Sequence, residues 1–113
     1  METSFWGPKS WDFLFCIATN YPLIIKQDNK EHQQIKKHYI QLFKLLQYVL
    51  PCKYCRISYK QFIKELPIES FTDSRRKMLY WVYLMKDKVN KKLLAQEAKP
   101  GYKGKFRTKK SPP

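Results

Sequence analysis

Leu50-Pro51-Cys52-Lys53-Tyr54-Cys55, residues 50–55, separates two stretches of helical apolar spacing and contains a Cys-x-x-Cys pair. Pro51 ends the preceding helix because proline lacks an N–H and clashes with the turn before it. Both cysteines therefore fall at the start of the next helix. There, unpaired N–H groups and the helix dipole stabilise a thiolate, the form that attacks disulfides. The segment predicts a redox pair, Cys52 and Cys55.

Three other interpretations of the pair remain open at this point. A zinc site needs about four ligands, and the chain offers only Cys16, His32 and His38 besides the pair. A structural disulfide at this spacing would close a very short loop and stabilise little. The spacing is also consistent with chance. Cys16 is expected to be a small buried apolar residue on the first helix.

Outward from this segment, apolar residues recur every three or four positions in four segments, which is typical of amphipathic helices. In chain order these residues are Trp11, Leu14, Phe15 and Ala18; Ile35, Tyr39, Leu42, Phe43, Leu46 and Val49; Cys55, Tyr59, Phe62, Ile63 and Leu66; and Met78, Val82, Met85, Val89 and Leu93. No comparable strand pattern exists. The predicted fold is all-α: a four-helix bundle in residues 1–98, then a short fifth helix or a disordered basic tail in residues 99–113.

Turn and capping residues predict where these helices begin and end. The first helix should follow Gly7-Pro8, since proline suits a first helical turn, and should end before Pro22. The second should start after Asp28-Asn29. Pro67 should close the third helix, and Thr72-Asp73 should cap the fourth.

Composition limits the class of protein. The 113 residues carry a formal net charge of +14 and only three cysteines, which is atypical of a disulfide-stapled secreted domain. No apolar run reaches membrane-spanning length, and the first residues do not resemble a signal peptide, so a soluble intracellular protein is expected. The charge predicts an anionic partner. The tail at residues 99–113 has six basic residues and no acid, which favours nonspecific nucleic-acid binding.

Four segments also carry recognisable motifs in a recognisable order. They are Trp6-Gly7-Pro8-Lys9-Ser10-Trp11; Ala18-Thr19-Asn20-Tyr21-Pro22; Leu50-Pro51-Cys52-Lys53-Tyr54-Cys55 with Tyr59 and Ile63; and Trp81 with Val89-Asn90-Lys91-Lys92-Leu93. Together they resemble the Erv/ALR family of FAD-linked sulfhydryl oxidases, and above all its minimal, virus-encoded members. The resemblance covers about residues 6–92.

The resemblance implies FAD as cofactor, Cys52 and Cys55 as the catalytic pair, and no metal. The cofactor contacts that it implies are Trp11, Phe15, Tyr59, Trp81, Lys86, Val89, Asn90 and Lys92. Three positions in two motifs depart from the family: its helix-one histidine falls on Phe15, and its helix-four His-Asn falls on Lys86 and Asp87. Phe15 is expected to stack on adenine and Lys86 to meet phosphate or ribose. Lys91 or Lys92 is expected to face the pyrophosphate.

The resemblance further implies a reaction and partners. A thiol-bearing substrate protein, or a separate dithiol shuttle protein, attacks the Cys52–Cys55 disulfide at Cys52, and its second thiol resolves the mixed disulfide. Cys55 passes electrons to the flavin, and molecular oxygen is reduced to hydrogen peroxide. By analogy the chain is expected to form a homodimer through helices one and two. Virus-encoded relatives point to the host cytoplasm or the virion.

Two hypotheses from other classes compete with the oxidase. The first is a degenerate, flavin-free basic helical module that binds nucleic acid or an acidic protein, which a missing yellow cofactor and salt-sensitive binding would support. The second is a thioredoxin-like reductase. That fold requires strands around its Cys-x-x-Cys, and the sequence predicts none.

Overall fold

The structure, a computed structural model, describes residues 3–97 as four α-helices and one short 3-10 helix. The α-helices are α1 (Thr3–Thr19), α2 (Lys30–Val49), α3 (Lys53–Glu65) and α4 (Arg75–Glu97), and the 3-10 helix (Ile68–Phe71) connects α3 to α4. Within these residues no strand forms, and a single isolated antiparallel bridge pairs Ile24 with Ser74. The predicted all-α fold with four helices is therefore confirmed.

Two parts of the domain prediction concern residues that the structure does not describe. The predicted fifth helix or basic tail at residues 99–113, and the boundary after residue 98, lie outside the described residues. In the part of the chain that the structure describes, none of the helices combines the length and apolar character that a membrane span requires.

The ends of α2 and α3 lie where the sequence predicts them. The Asn29 side chain caps α2 by accepting a hydrogen bond from the His32 N–H at 3.0 Å. At the other end the Leu50 N–H donates to the Leu46 carbonyl at 3.1 Å, and Pro51 follows directly. α3 ends two residues before Pro67. Proline and a capping amide thus determine these boundaries.

α1 begins several residues before its predicted start, and the cap of α4 lies one residue after its predicted position. α1 begins at Thr3 and contains Pro8 as its sixth residue, in the second turn, where proline removes one internal N–H bond without ending the helix. The Ser10 hydroxyl donates to the Gly7 carbonyl at 2.7 Å beside this proline. At α4 the Ser74 hydroxyl accepts from the Lys77 N–H at 3.2 Å, one residue beyond the predicted Thr72-Asp73 cap.

The core forms where α1 packs against α4 and α2 packs against α3, with the 3-10 helix against α2 and α4. Its buried residues are Ala18, Tyr21, Phe43, Tyr59, Ile68, Thr72, Met78, Trp81, Val82 and Met85. Trp81 lies at the centre, edge-on to Phe43 with ring centroids 5.0 Å apart. Its indole N–H donates to the Leu66 carbonyl at 2.9 Å. Trp81 therefore connects α4 to both α2 and the end of α3.

A second set of contacts holds the α1–α2 connection against the start of α4. The buried Tyr21 hydroxyl donates to the Thr72 carbonyl at 2.6 Å. Nearby, the Ile25 N–H donates to the Asp73 carbonyl at 2.9 Å. Burial, and to a lesser degree the charge of Asp73, raises the pKa of Tyr21 to about 12. The phenol therefore stays protonated and keeps this bond over the physiological pH range.

Cys16 lies on α1 as predicted, but its burial differs from the prediction. Its side chain is exposed on α1, so the expected burial is wrong. Ala18, two residues later, is fully buried instead. Positions two residues apart on a helix point to different sides, and only the Ala18 side of α1 faces the core.

Candidate active site

The cysteine pair lies at the junction of α2 and α3. Cys52 is the N-cap of α3 in an extended conformation, and its Sγ accepts the backbone N–H of Cys55 at 3.4 Å. The Arg56 guanidinium closes the same junction by donating to the Leu50 carbonyl. Cys52 therefore lies at a helix N-terminus, where backbone N–H groups can donate to its sulfur. The predicted placement of the pair at a helix start is confirmed.

An apolar cavity of about 260 Å³ opens beside these sulfurs, between the four helices. Aliphatic and aromatic side chains form most of its wall. The lining residues are Trp6, Gly7, Ser10, Trp11, Phe13, Leu14, Ile17, Leu42, Leu46, Leu50, Cys52, Tyr54, Cys55, Ser58, Tyr59, Phe62, Val89, Lys92 and Leu93. Such a cavity, apolar with a few polar groups, has the character of a small-molecule site.

Six of the ten predicted site residues meet at this cavity. They are Trp11, Cys52, Cys55, Tyr59, Val89 and Lys92. Tyr59 is buried, and its hydroxyl donates to the Phe43 carbonyl at 2.7 Å. Burial raises the pKa of Tyr59 far above its ordinary value, so it stays neutral at the cavity wall. The structure thus brings residues from α1, α3 and α4 to one place.

Phe15 and Lys86, two of the other four, contact each other outside the cavity wall. The Lys86 ammonium lies 5.9 Å from the centroid of the Phe15 ring, and both side chains are half-buried. Phe15 follows the cavity residue Trp11 by one helical turn, and Lys86 precedes Val89 by nearly one turn. The cation therefore faces an aromatic ring at the two positions where the resemblance expects histidines.

Trp81 and Asn90 are the remaining two predicted site residues, and neither lines the cavity. Trp81 is 1% exposed and belongs to the core. Asn90 is half-buried on α4. Their roles as cofactor contacts stay predictions.

A polar corner on the α3–α4 side interrupts the apolar wall. The Lys92 ammonium donates a hydrogen bond to the Ser58 hydroxyl, and both residues line the cavity. Ser58 follows Cys55 by three positions, so it lies on the same side of α3. An ammonium in apolar surroundings is strongly attracted to a nearby anion, because the low local dielectric screens it weakly.

A second polar group of the wall lies on α1. The indole N–H of Trp6 is buried and has no hydrogen-bond partner among the described residues. Buried donors in folded proteins nearly always have an acceptor. The cavity wall therefore offers a donor from α1 as well as the ammonium from α4, which fits a flat apolar ligand with acceptor atoms at its edges.

The comparison with protein families agrees with this arrangement. A model of the Erv1/Alr family matches residues 8–110, which is most of the chain. The chain belongs to the Erv1/Alr family. The predicted resemblance is thus confirmed.

Relatives of this Erv1/Alr chain include one viral protein. A probable FAD-linked sulfhydryl oxidase of Acanthamoeba polyphaga mimivirus is 29% identical over 91 residues, which make up 80% of this chain and 59% of the relative. The chain therefore spans about three fifths of the length of the curated relative that it matches.

Two solved structures from yeast have the same fold. The yeast Erv1 core matches with a TM-score of 0.66 and 27% identity, over 78% of this chain and 68% of that one. A double cysteine-to-serine mutant of Erv1 from Saccharomyces cerevisiae matches with a TM-score of 0.70 and 24% identity, over 83% and 73%. At that identity the second match supports the fold alone.

Sequence patterns missed several residues at this Erv1/Alr site. Trp6 was noted only as part of a motif, and Ser58 was not noted at all. A serine three positions after Cys55 was the available signal, but its partner Lys92 lies 34 residues away. Among the described residues no group of three or more His, Cys, Asp or Glu side chains is placed to hold a metal ion.

Proposed function

We propose that this Erv1/Alr-family chain is an FAD-dependent sulfhydryl oxidase that forms disulfide bonds in substrate proteins. One observation carries the proposal: the Cys52–Cys55 pair at the start of α3 opens onto an apolar cavity built from all four helices. The name of the mimivirus relative supports it. The competing flavin-free binding module explains neither the pair nor the cavity.

The residues present fit FAD. Trp11, Tyr59 and Val89 offer apolar wall to a flat ring, while the unsatisfied Trp6 N–H and the Lys92 ammonium offer donors to its polar edge. We further propose that Phe15 and Lys86 hold the adenosine part, and that Trp81 and Asn90 support the cofactor from α4. When bound, FAD would supply a two-electron acceptor for the cysteine pair and a route for these electrons to molecular oxygen, which would yield hydrogen peroxide.

The chain's own residues account for the thiol chemistry. A substrate thiolate attacks the Cys52 Sγ of the oxidised pair, the Cys52–Cys55 bond breaks, and the Cys55 sulfur leaves as a thiolate. A second substrate thiolate then displaces Cys52, which completes one substrate disulfide and leaves the pair reduced by two electrons. The N-terminus of α3 stabilises the Cys52 thiolate that the second step releases.

The first test combines a visible spectrum with two cysteine variants. The purified protein should be yellow with one FAD per chain, and it should consume oxygen with dithiothreitol. Cys55→Ser should keep FAD and lose oxygen consumption by about 100-fold or more, because the sulfur next to the cofactor is gone. Cys16→Ser is the matched control, since Cys16 is exposed away from the cavity wall. It should retain full activity.

Two outcomes would overturn the oxidase proposal. One is a colourless protein that does not take up added FAD. The other is an active Cys55→Ser variant. In the first case, the basic helical module that binds nucleic acid or an acidic protein becomes the better hypothesis, and salt-sensitive binding would test it.

Partners and setting belong to the same proposal. The substrate is a thiol-bearing protein or a separate dithiol shuttle protein, the oxidant is molecular oxygen, and the chain forms a homodimer. A viral origin, with action in the host cytoplasm or the virion, agrees with the mimivirus relative and stays a prediction. Nonspecific nucleic-acid binding by residues 99–113 also stays a prediction.

A further inference from the structure

The side of α3 that points away from the core has an unusual composition beside the cysteine pair. Lys53, Ile57, Lys60 and Lys64 follow one another at steps of four and three, so they form one stripe along the helix. All four are exposed, and Ile57 is 56% exposed. Tyr54, 69% exposed, lies between this stripe and the cavity, which it also lines. We name these five residues the α3 outer face.

The charge around this face has one sign. Residues 32–64 contain no Asp or Glu, and they contain seven basic residues: Lys36, Lys37, Lys44, Lys53, Arg56, Lys60 and Lys64. The carboxylate at the far end of α3, Glu65, is already engaged by Lys88 at 2.8 Å and by Gln61 at 2.9 Å. Of the seven, Lys44 is paired with Glu69 of the 3-10 helix. The face therefore presents positive charge with no competing acid in residues 32–64.

The lysines of this face are available to a partner. Within the described residues Lys53 and Lys64 take part in no ion pair. Lys60 lies over the exposed Tyr48 ring of α2, 5.0 Å from its centroid. That contact keeps the ammonium beside an aromatic surface without neutralising it.

We propose that the α3 outer face docks a substrate segment in which the cysteine pair is flanked by carboxylates and apolar side chains. The proposal rests on the proposed oxidase function and names the substrate class of that site. Cys52 immediately precedes Lys53 and Tyr54, so a segment whose sulfur reaches Cys52 lies against the first turn of this face. Its apolar side chains would cover Tyr54 and Ile57, and its carboxylates would meet the lysines.

Binding tests the proposal without any turnover. Two peptides share a Ser-x-x-Ser core, in place of the cysteines, and the same leucine and tyrosine flanks. One peptide carries four glutamates in its flanks, and the other peptide carries four lysines there. We expect the full chain to bind the acidic peptide at least about tenfold more tightly at low ionic strength, as measured by fluorescence anisotropy. The difference should shrink as salt screens the charges.

Charge-matched variants distinguish the effect of the α3 outer face on binding from the effect of the overall net charge. Lys60→Glu with Lys64→Glu should abolish the preference for the acidic peptide. Lys36→Glu with Lys37→Glu makes the same change in net charge on α2 and should keep the preference. Ile57→Ser should weaken the binding of both peptides by the same factor. Circular dichroism on each variant verifies that the helices persist.

Turnover gives the second readout, with cysteine versions of both peptides. Each catalytic cycle oxidises one peptide dithiol to a disulfide and reduces one molecular oxygen to hydrogen peroxide, with two electrons and two protons transferred. The acidic peptide should show the lower KM, and the Lys60→Glu, Lys64→Glu variant should lose that advantage. Oxidation of dithiothreitol, which carries no charge at its flanks, should stay unchanged in this variant.

Each outcome decides a separate question. Equal affinity for the two Ser-core peptides overturns the docking proposal, even where dithiothreitol is oxidised. An equal loss of preference in the α2 variant also overturns it, because bulk charge then explains the result. If dithiothreitol is not oxidised and FAD is absent, the oxidase proposal fails. A retained preference for the acidic peptide would then show that the α3 outer face binds acidic segments, and would overturn their role as substrates.

Discussion

Two consecutive lysines on α4 have different surroundings. Lys91 is 75% exposed on its side chain and pairs with Asp87, its Nζ lying 3.0 Å from the Asp87 Oδ2. Such exposed pairs contribute about 0–1 kcal/mol to stability. Lys92 lines the cavity and donates to Ser58. Of the two lysines that the sequence offered to the cofactor, the structure places Lys92 at the candidate site.

This contrast predicts a difference between two methionine variants. Lys92→Met keeps the unbranched stem but removes the ammonium. A hydrogen bond to a charged group contributes about 1.5–3 kcal/mol, so the dissociation constant for FAD should rise by about tenfold to 100-fold. Lys91→Met should change it less than about twofold. Titration of the apoprotein with FAD, followed by flavin fluorescence, measures both. Equal losses in the two variants would contradict the assignment of Lys92.

At the residue scale, sequence patterns predicted which residues belong to the site better than they predicted which residues contact each other. Cys52 and Cys55 were predicted because Pro51 determines where a helix must restart. The contact between Phe15 and Lys86, and the one between Ser58 and Lys92, join residues of different helices. They depend on how α1, α3 and α4 pack, which helical spacing does not determine. The exposure of Cys16 was mispredicted for the same reason.

At the scale of elements, prolines and caps predicted the ends of α2 and α3, whereas the 3-10 helix went unpredicted. Four residues, Ile68–Phe71, are too few to show a period in the sequence. This short helix nevertheless contributes the buried Ile68 and precedes the buried Thr72. It determines how the chain turns from α3 into α4, and with it the position of the α4 side chains at the cavity.

The hydrogen bond from Tyr21 to the Thr72 carbonyl holds these elements together, and its loss should be measurable. Tyr21→Phe leaves that buried carbonyl without its 2.6 Å donor. The free energy of unfolding should fall by about 1–3 kcal/mol. Tyr80→Phe is the matched control, since Tyr80 is 54% exposed; it should change stability by less than about 0.5 kcal/mol. Urea unfolding at neutral pH measures both variants.

Comparing the wild type with Tyr21→Phe also predicts in which direction pH changes the contribution of Tyr21 to stability. The pKa of Tyr21 is about 12 in the folded chain against an ordinary 10.0, mainly because of burial. The unfolded chain therefore loses this proton first as pH rises, and the stabilisation present below pH 10 is lost between about pH 10 and 12. The stability advantage of the wild type over Tyr21→Phe should shrink in that window. A constant advantage across that window would show that ionisation of Tyr21 does not contribute to the loss of stability at high pH.

At the scale of the whole molecule, positive charge and exposed apolar surface lie close together. On α2, Leu42, Leu45 and Val49 are 37%, 55% and 65% exposed at steps of three and four. Lys44 and Lys37 lie near this stripe on the same helix. Isolated exposed leucines are ordinary, but a stripe of this kind favours association with another surface. It supports the homodimer that the resemblance implies through helices one and two.

A homodimer through α2 should respond to salt in the opposite way to substrate docking. Two copies of a +14 chain repel each other, so screening should strengthen an apolar α2 contact, whereas it should weaken an acidic peptide on the α3 outer face. Leu45→Glu should shift the chain to monomer in sedimentation equilibrium. Tyr83→Glu is the control, an equal charge change at a 56% exposed site on α4; it should leave the dimer intact. A wild-type monomer at about 100 μM and high salt would rule out a stable dimer, because an apolar interface of standard size associates well below that concentration.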